Sequence, residues 1–368
     1  MNLILGILTS EQNVRSPYIR SLLRTGRERG VMVFSFTPRG LTDAGARFVE
    51  GFGGAGERPK GVFPWPTVVY NRVATRKDEV SPSVERVKWA LRQRGVRYFN
   101  ERFFNKREVD QVLRADSETA LLLPDTVSGW DAHRVSEMLT RYGSVFVKPI
   151  SGSFGEGICQ LTQVGNRYRM DVRGQLGTVP RFYDDRDDCL ESCRAQLGGW
   201  ACVIQEGIDL LTYEEAKTDF RVHVHRDARL EWKVAAIGAK VAHHSAITTH
   251  VHSGGHVEDS DSVFKAWFGE KSGEARERME SAAIRVCQRL TEQLDPSLGE
   301  LGLDMGLARD GRVVLFEANS KPGRAIFSHR SLVDAARVSR DLLLAYGQAL
   351  SQSRSRSDSP TEKAGKSS

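Results

Sequence analysis

Cysteine, long apolar runs and a strong excess of either charge are all scarce in this chain of 368 residues. Its five cysteines are odd in number and contain no Cys-x-x-Cys unit, which argues against a disulfide framework. Cys189 and Cys193 stand one helical turn apart, but a zinc site needs two further ligands at suitable spacing. A reduced, cytosolic setting is the expectation. No apolar run approaches the roughly 20 residues that cross a bilayer. The segment Met1–Leu8 is apolar but short and has no basic leader, so it reads as a first strand and not as a signal peptide. The formal net charge is +6, and the stretch 351–368 carries four basic residues against two acidic ones, leaving about +4 for the rest. That excess is too small and scattered to indicate a nucleic-acid partner. Also absent are the Gly-Lys-Ser/Thr ending of a Walker A loop and any Ser-His-Asp or Cys-His arrangement.

The composition, 40% hydrophobic and 27% charged, is that of a soluble globular protein long enough for two or three domains. Residues 1–104 alternate strands (Leu3–Leu8, Val31–Phe36, Val96–Phe99) with helices (Tyr18–Arg29, Val84–Arg94), the pattern of an α/β layer with parallel strands. The patch Gly51–Gly56 follows no clear strand and reads as a surface loop. Residues 105–205 and 206–350 mix strands and helices as two α+β units, including helices from Asn105 to Arg114, with Asn105 as N-cap, and over Glu274–Leu294 and Leu332–Leu350. The Ser- and Arg-rich stretch 351–368 is expected to be disordered.

The chemistry concentrates near residue 310. Asp304 ends one apolar strand, and Glu317-Ala-Asn319 ends the next, with an Asp310-Gly311 turn signal between them. Glu317 and Asn319 share a face of an extended strand, and the hairpin brings Asp304 to the same end. Two anionic oxygen ligands and one neutral one suit Mg²⁺, whose shell is completed by water and substrate phosphates. Upstream, Lys148 closes a strand just before the Gly-rich segment Ser151-Gly152-Ser153-Phe-Gly155-Glu-Gly157. Such glycines let backbone amides approach phosphate oxygens, and a strand lysine there needs an anionic partner.

The order of these features resembles an ATP-grasp enzyme: Lys106, then Lys148 with its lid, a hinge at Gln205-Glu206-Gly-Ile208, then Asp304 with Glu317 and Asn319. Phe103-Phe-Asn-Lys106, Asp219-Phe-Arg221-Val, Ile237-Gly-Ala-Lys240 and Ile247–Gly255 narrow the resemblance to the YheC/YheD family of endospore coat-associated proteins. Arg107 departs from the Trp of many such relatives, a change that concerns packing more than nucleotide chemistry. The resemblance implies an ATP-grasp fold: an N-terminal α/β domain and two subdomains clasping ATP. It implies that Lys106 and Lys148 contact the inner phosphates, and that backbone groups near Glu206 and Ile208 read the adenine edge. Glu206 or Asp209 would take the ribose, Arg221 and Lys240 would face the outer phosphates, and Asp304, Glu317 and Asn319 would hold one or two Mg²⁺ ions.

Seven of the nine histidines fall between His223 and His256. His250 and His252, beside Gly254 and Gly255, read as a substrate-side segment, and His223 and His225 as the polar face of a strand. The resemblance implies that Ser320, Gly323 and Arg324, which follow the expected metal ligands, line the acceptor pocket, with Arg324 and Lys321 available to a substrate carboxylate. The expected activity is ATP- and Mg²⁺-dependent ligation of a small-molecule or peptide carboxylate to an amine through an acylphosphate. By resemblance the setting is cytoplasmic, in the mother cell and at the spore coat, with coat proteins as partners and neither nucleic acid nor membrane. The competing readings are a coat structural protein with a vestigial ATP site, and a kinase.

Overall fold

A computed structural model of the chain describes residues 3–41, 43–53, 60–149, 157–174, 177–242 and 255–353. Three six-stranded sheets follow one another in sequence. The first comprises β1 (Ile4–Leu8), β2 (Met32–Phe36), β3 (Val49–Gly53), β4 (Gly61–Phe63), β5 (Val68–Asn71) and β6 (Arg97–Phe99), in the order β4-β3-β2-β1-β5-β6. As the strand-helix alternation predicts, β2, β1, β5 and β6 are parallel. Helix Pro17–Glu28 returns the chain between β1 and β2; Ser16 caps it and Pro17 opens it with a preset φ. Its apolar stripe, Ile19, Leu22 and Leu23, packs on one sheet face together with Leu343, Leu344 and Tyr346 of the C-terminal helix Val333–Gln352. Helix Pro82–Gln93 covers the other face.

One expectation fails here. Gly51 and Gly53 lie in β3, an antiparallel strand paired with both β2 and β4, not in a surface loop. The glycines serve close strand packing: a Cβ on Gly51 would come within 2.6 Å of the Ser35 carbonyl oxygen. The remainder of that patch lies outside the described residues.

The second sheet is antiparallel and comprises β7 (Thr126–Ser128), β8 (Ser144–Pro149), β9 (Cys159–Val164), β10 (Arg167–Gly174), β11 (Gly177–Tyr183) and β12 (Cys202–Glu206), ordered β11-β10-β9-β8-β12-β7. Val145, Val147 and Ile204 face a core covered by helices Ala132–Tyr142 and Arg186–Gln196. Strand alternation sends Phe146, Lys148 and Gln205 to the opposite face. Cys159, Cys189, Cys193 and Cys202 are buried free thiols in this core, packed as small apolar groups.

The third sheet comprises β13 (Thr212–Tyr213), β14 (Ala216–Arg226), β15 (Trp232–Val241), β16 (His256–Asp259), β17 (Glu300–Leu307) and β18 (Val313–Asn319), ordered β16-β15-β14-β17-β18 with β13 paired to β14. Helices Ser260–Phe268 and Ser272–Gln293 bury Phe264, Met279, Ala283, Val286 and Leu290 against Phe220, Val222, Val224, Leu301 and Leu303. The second and third sheets are tied near residue 210, where Leu211 N–H donates to Leu307 O at 2.9 Å and Arg312 meets Glu206 at 2.7 Å.

Candidate functional site

With its core face turned to the helices, the third sheet presents Asp219, Arg221, His223 and His225 of β14 on the other side. Register then aligns charges across four strands. Asp219 lies opposite Lys240 of β15, Arg221 opposite Asp304 of β17, and Asp304 opposite Glu317 of β18. A bulge makes the last pairing possible. Simple alternation would put Leu315 and Glu317 on one face, but the extra residue Phe316 sends Leu315 into the core and Glu317 and Asn319 to the polar side.

Asp304 is nearly fully buried and multiply bonded. Arg221 donates to both its oxygens at 3.0 and 2.9 Å, Lys240 to Oδ1 at 2.8 Å, and Asn319 to Oδ2 at 3.3 Å. Lys240 also meets Asp219 at 2.8 Å. Burial alone would raise the Asp304 carboxyl, but Arg221 and Lys240 outweigh it and hold the group ionised, well below the ordinary carboxylate range. The row thus gathers the three oxygen ligands expected from sequence, with two cations bound directly to one of them.

Helix Lys106–Arg114 places Lys106 at its first turn, capped by Asn105 through the Arg107 N–H at 2.9 Å. Lys106 Nζ reaches Glu317 at 3.1 Å. Across the cleft, Lys148 projects from β8 and donates a short hydrogen bond to the Gln205 amide oxygen. Burial pushes its ammonium down to about 8; Lys106 adds to the fall and Glu317 opposes it. A buried cation whose hydrogen-bonded partner among the described residues is a neutral amide fits a phosphate ligand by its chemistry. A pH-dependent consequence follows. The unfolded lysine titrates near 10.4, so the unfolded chain binds more protons between about 8 and that value, and stability rises with pH there. A phosphate ligand should draw the proton back. If Mg-ATP binds with a phosphate on Lys148, its binding at pH 8.5 should take up roughly half to one proton, measured as the buffer dependence of the calorimetric heat, and Lys148→Met should abolish the uptake.

The hinge residues divide. Gln205 turns to the cleft, whereas the Glu206 carboxylate is buried between Arg312 at 2.7 Å and the Asp125 N–H at 3.1 Å. Its backbone N–H donates to Asp125 O at 2.8 Å, and Ile208 O accepts from Leu210 N–H. Of the two acids considered for a ribose, only Asp209 is exposed, with Arg309 at 3.3 Å. Gly157, with φ +73, is the one described residue of the Gly-rich segment. Ser151, Gly152, Ser153, Gly155, His250, His252 and Gly254 lie outside the described residues, and Gly255 directly precedes β16.

The acceptor segment differs from expectation. Ser320 is buried and donates to Arg102 O at 2.8 Å, so its hydroxyl is structural. Lys321 is buried against Glu79, which offsets only part of the burial that pushes its ammonium down to about 8. Arg324 pairs with Glu300 at 3.3 Å. Gly323 offers its carbonyl to His223 Nε2 at 3.1 Å. The segment can lie this close because β17 carries Gly302, where a Cβ would sit 2.4 Å from Pro322 Cβ. Sequence reasoning missed the acids that claim these cations, since Glu79 and Glu300 are remote in the chain.

His223 and His225 do lie on the polar strand face, but at full burial. With Glu300 they form a cluster of metal-ligand type. Its charge argues against a cation. Glu300 already contacts Arg72 at 3.2 Å and Arg324 at 3.3 Å. Burial, opposed by Glu300 and aided by both arginines, pushes His225 down to about 4, so a further cation would meet net positive charge.

Residues 95–350 match the family model described as YheC/D like ATP-grasp. The chain is 32% identical over 295 residues to the endospore coat-associated protein YheD of Bacillus subtilis (strain 168), covering 80% of this chain and 65% of that protein. It thus spans about two thirds of that relative's length. It is 21% identical over 332 residues to YheC of the same organism, covering 87% and 88% respectively. Among solved structures it resembles the ATP-grasp ligase PsnB complexed with minimal precursor, Mg and ADP, with a TM-score of 0.50 at 16% identity over 93% of this chain and 98% of that one. The three-sheet architecture is therefore the ATP-grasp fold.

Proposed function

The chain belongs to the YheC/D-like ATP-grasp family, and from that premise we propose that it is an ATP- and Mg²⁺-dependent carboxylate-amine ligase acting through an acylphosphate. One observation carries this reading. The cleft-facing Lys148 shares a single corner with Lys106 and Glu317, in register with Asp304. Bound Mg²⁺ would supply charge neutralisation at the phosphates, held by Asp304, Glu317 and Asn319. Lys106 and Lys148 bind and orient the inner phosphates. Arg221 and Lys240 leave Asp304 for the outer phosphates, where a fixed guanidinium stabilises charge on the transferring group. The substrate carboxylate attacks that group and expels ADP to give the acylphosphate, and an amine then displaces phosphate, losing a proton, to give an amide. No protein nucleophile is required, so rate comes from positioning and charge.

The second reading is a coat-associated protein with a vestigial or regulatory nucleotide site, suggested by the relatives' names and by the closure of Asp304 by two cations. Thermal unfolding tests for a vestigial site, and ADP release separates turnover from a regulatory site. The ligase reading expects millimolar Mg-ATP to raise the melting temperature through binding to the native state, and expects ADP release with amino-acid or peptide pools. An unchanged melting temperature would favour the vestigial site.

A further inference from the structure

The far end of the same polar face holds a second charged group that the nucleotide chemistry does not use. Arg72 leaves the end of β5, donating to Glu300 at 3.2 Å and, through both terminal nitrogens, to Pro322 O at 3.2 Å. Arg324 lies between the rings of Tyr18 at 4.0 Å and Phe327 at 4.4 Å, while Arg72 is 5.5 Å from Tyr18. One carboxylate, Glu300, therefore serves two guanidiniums. His223 and His225 add no negative charge, and Arg340 lies within electrostatic range of Arg324 and deepens the positive excess. Among the described residues the buried Tyr18 hydroxyl makes no hydrogen bond of normal geometry; its neighbour, the Tyr70 hydroxyl, directs its proton to Glu300. Arg72 and Arg324 keep 17% and 11% of their side-chain surface accessible. Arg324 also donates to Ser339 Oγ at 2.6 Å, but this neutral acceptor, like the Pro322 carbonyl, adds no charge, and two forked cations with one shared counter-ion beside the Tyr18 hydroxyl form an arrangement suited to an oxyanion.

We propose that Arg72, Arg324 and Tyr18 form an anion-recognition subsite for a carboxylate or phosphate group that the acceptor carries apart from its reacting atoms. Calling the ligand an acceptor rests on the ligase reading; the binding itself does not. The Pro322 carbonyl that Arg72 grips lies in the loop leaving the metal ligands, so the subsite adjoins the corner where the acceptor would react. The N-terminal sheet thereby supplies a specificity residue that the acceptor segment alone lacks.

The test uses the full chain, with succinate and inorganic phosphate as probes and succinamide as the neutral control. Apparent affinities come from the dose dependence of the melting temperature, with and without Mg-ADP. A response to succinate assigns a carboxylate, and a response to phosphate alone assigns a phosphoryl group. Tyr18→Phe removes only a hydroxyl without a hydrogen bond of normal geometry, so the fold should be unaffected, while affinity for the stabilising anion should fall about tenfold, the value of one hydrogen bond to a charged group. Arg72→Lys, which keeps the charge but loses the fork, should weaken it similarly. Equal responses to succinate, phosphate and succinamide, or a Tyr18→Phe response equal to wild type, would overturn the subsite. Loss of the Mg-ADP response alone would count against the nucleotide reading and leave the anion measurements decisive.

Discussion

Glu300→Ala is expected to destabilise the protein by about 3–5 kcal/mol, the usual cost of removing one partner from a buried charge cluster. Glu300 is fully buried, and its carboxylate joins Arg72, Arg324, Tyr70 and His225, which come from β5 and its end, the loop after β18, and β14. Its removal leaves two guanidiniums buried beside each other without a counter-ion. A loss of that size is a large fraction of the ~5–15 kcal/mol that holds a typical domain together. Urea denaturation followed by tryptophan fluorescence would measure it. A midpoint within experimental scatter of wild type would show that the cluster contributes no more than a surface ion pair. The pH dependence has a sign. Burial tends to raise the Glu300 carboxyl, but Arg72, His225 and Arg324 outweigh it, so the folded value lies below the unfolded one. Its contribution is present above the ordinary glutamate range and lost as pH falls through the folded value. His225 acts in a higher window. Folded near 4 and unfolded near 6.5, it takes a proton more readily when unfolded, so acidification between those values already erodes stability.

On the ligase reading, turnover should respond most to the corner between the sheets. Lys148→Ala is expected to lower ADP release by roughly 10²–10³-fold, the cost of losing one preorganised charge at a developing phosphoryl transition state. Glu317→Ala should lose at least as much, because it would remove a proposed metal ligand and leave Lys106 without its contact at 3.1 Å. Both variants should fold. Lys148 is disfavoured by its own burial, so its removal should preserve or raise the melting temperature. Glu317 is about one-third exposed. Retained turnover in either purified variant would break the assignment, and mass spectrometry of the product distinguishes an amide from a phosphorylated compound.

Most strands and the long helices were legible from period and caps: Asn105 before Lys106, and the Asp310-Gly311 turn that closes β17 on β18. The hairpin of β10 and β11 was not anticipated, although Arg167-Tyr-Arg-Met-Asp-Val172 alternates at a period of two. Grouping Asp304 with Glu317 and Asn319 was legible because a hairpin joins neighbours. The means by which it happens, the bulge at Phe316, was not, because an extra residue leaves no mark in composition. The acceptor loop was the least legible. Lys321 and Arg324 look free in sequence, but their partners Glu79 and Glu300 stand 242 and 24 residues away. A charge is judged free only when every acid that folding brings to it is known.

The salt-bridged row on the third sheet has a consequence for how ligands enter. Asp219, Asp304 and Glu317 are matched by Arg221, Lys240 and Lys106 through direct contacts. The free protein is thus its own counter-ion, and on the ligase reading loading it is an exchange of partners. Phosphate arriving without metal would strip Asp304 of its cations and leave a bare buried carboxylate. Metal arriving without phosphate would have to compete with Arg221 and Lys240 for that carboxylate. On that reading only the two together complete both halves of the swap, and the row would admit the metal-nucleotide pair while penalising either component alone.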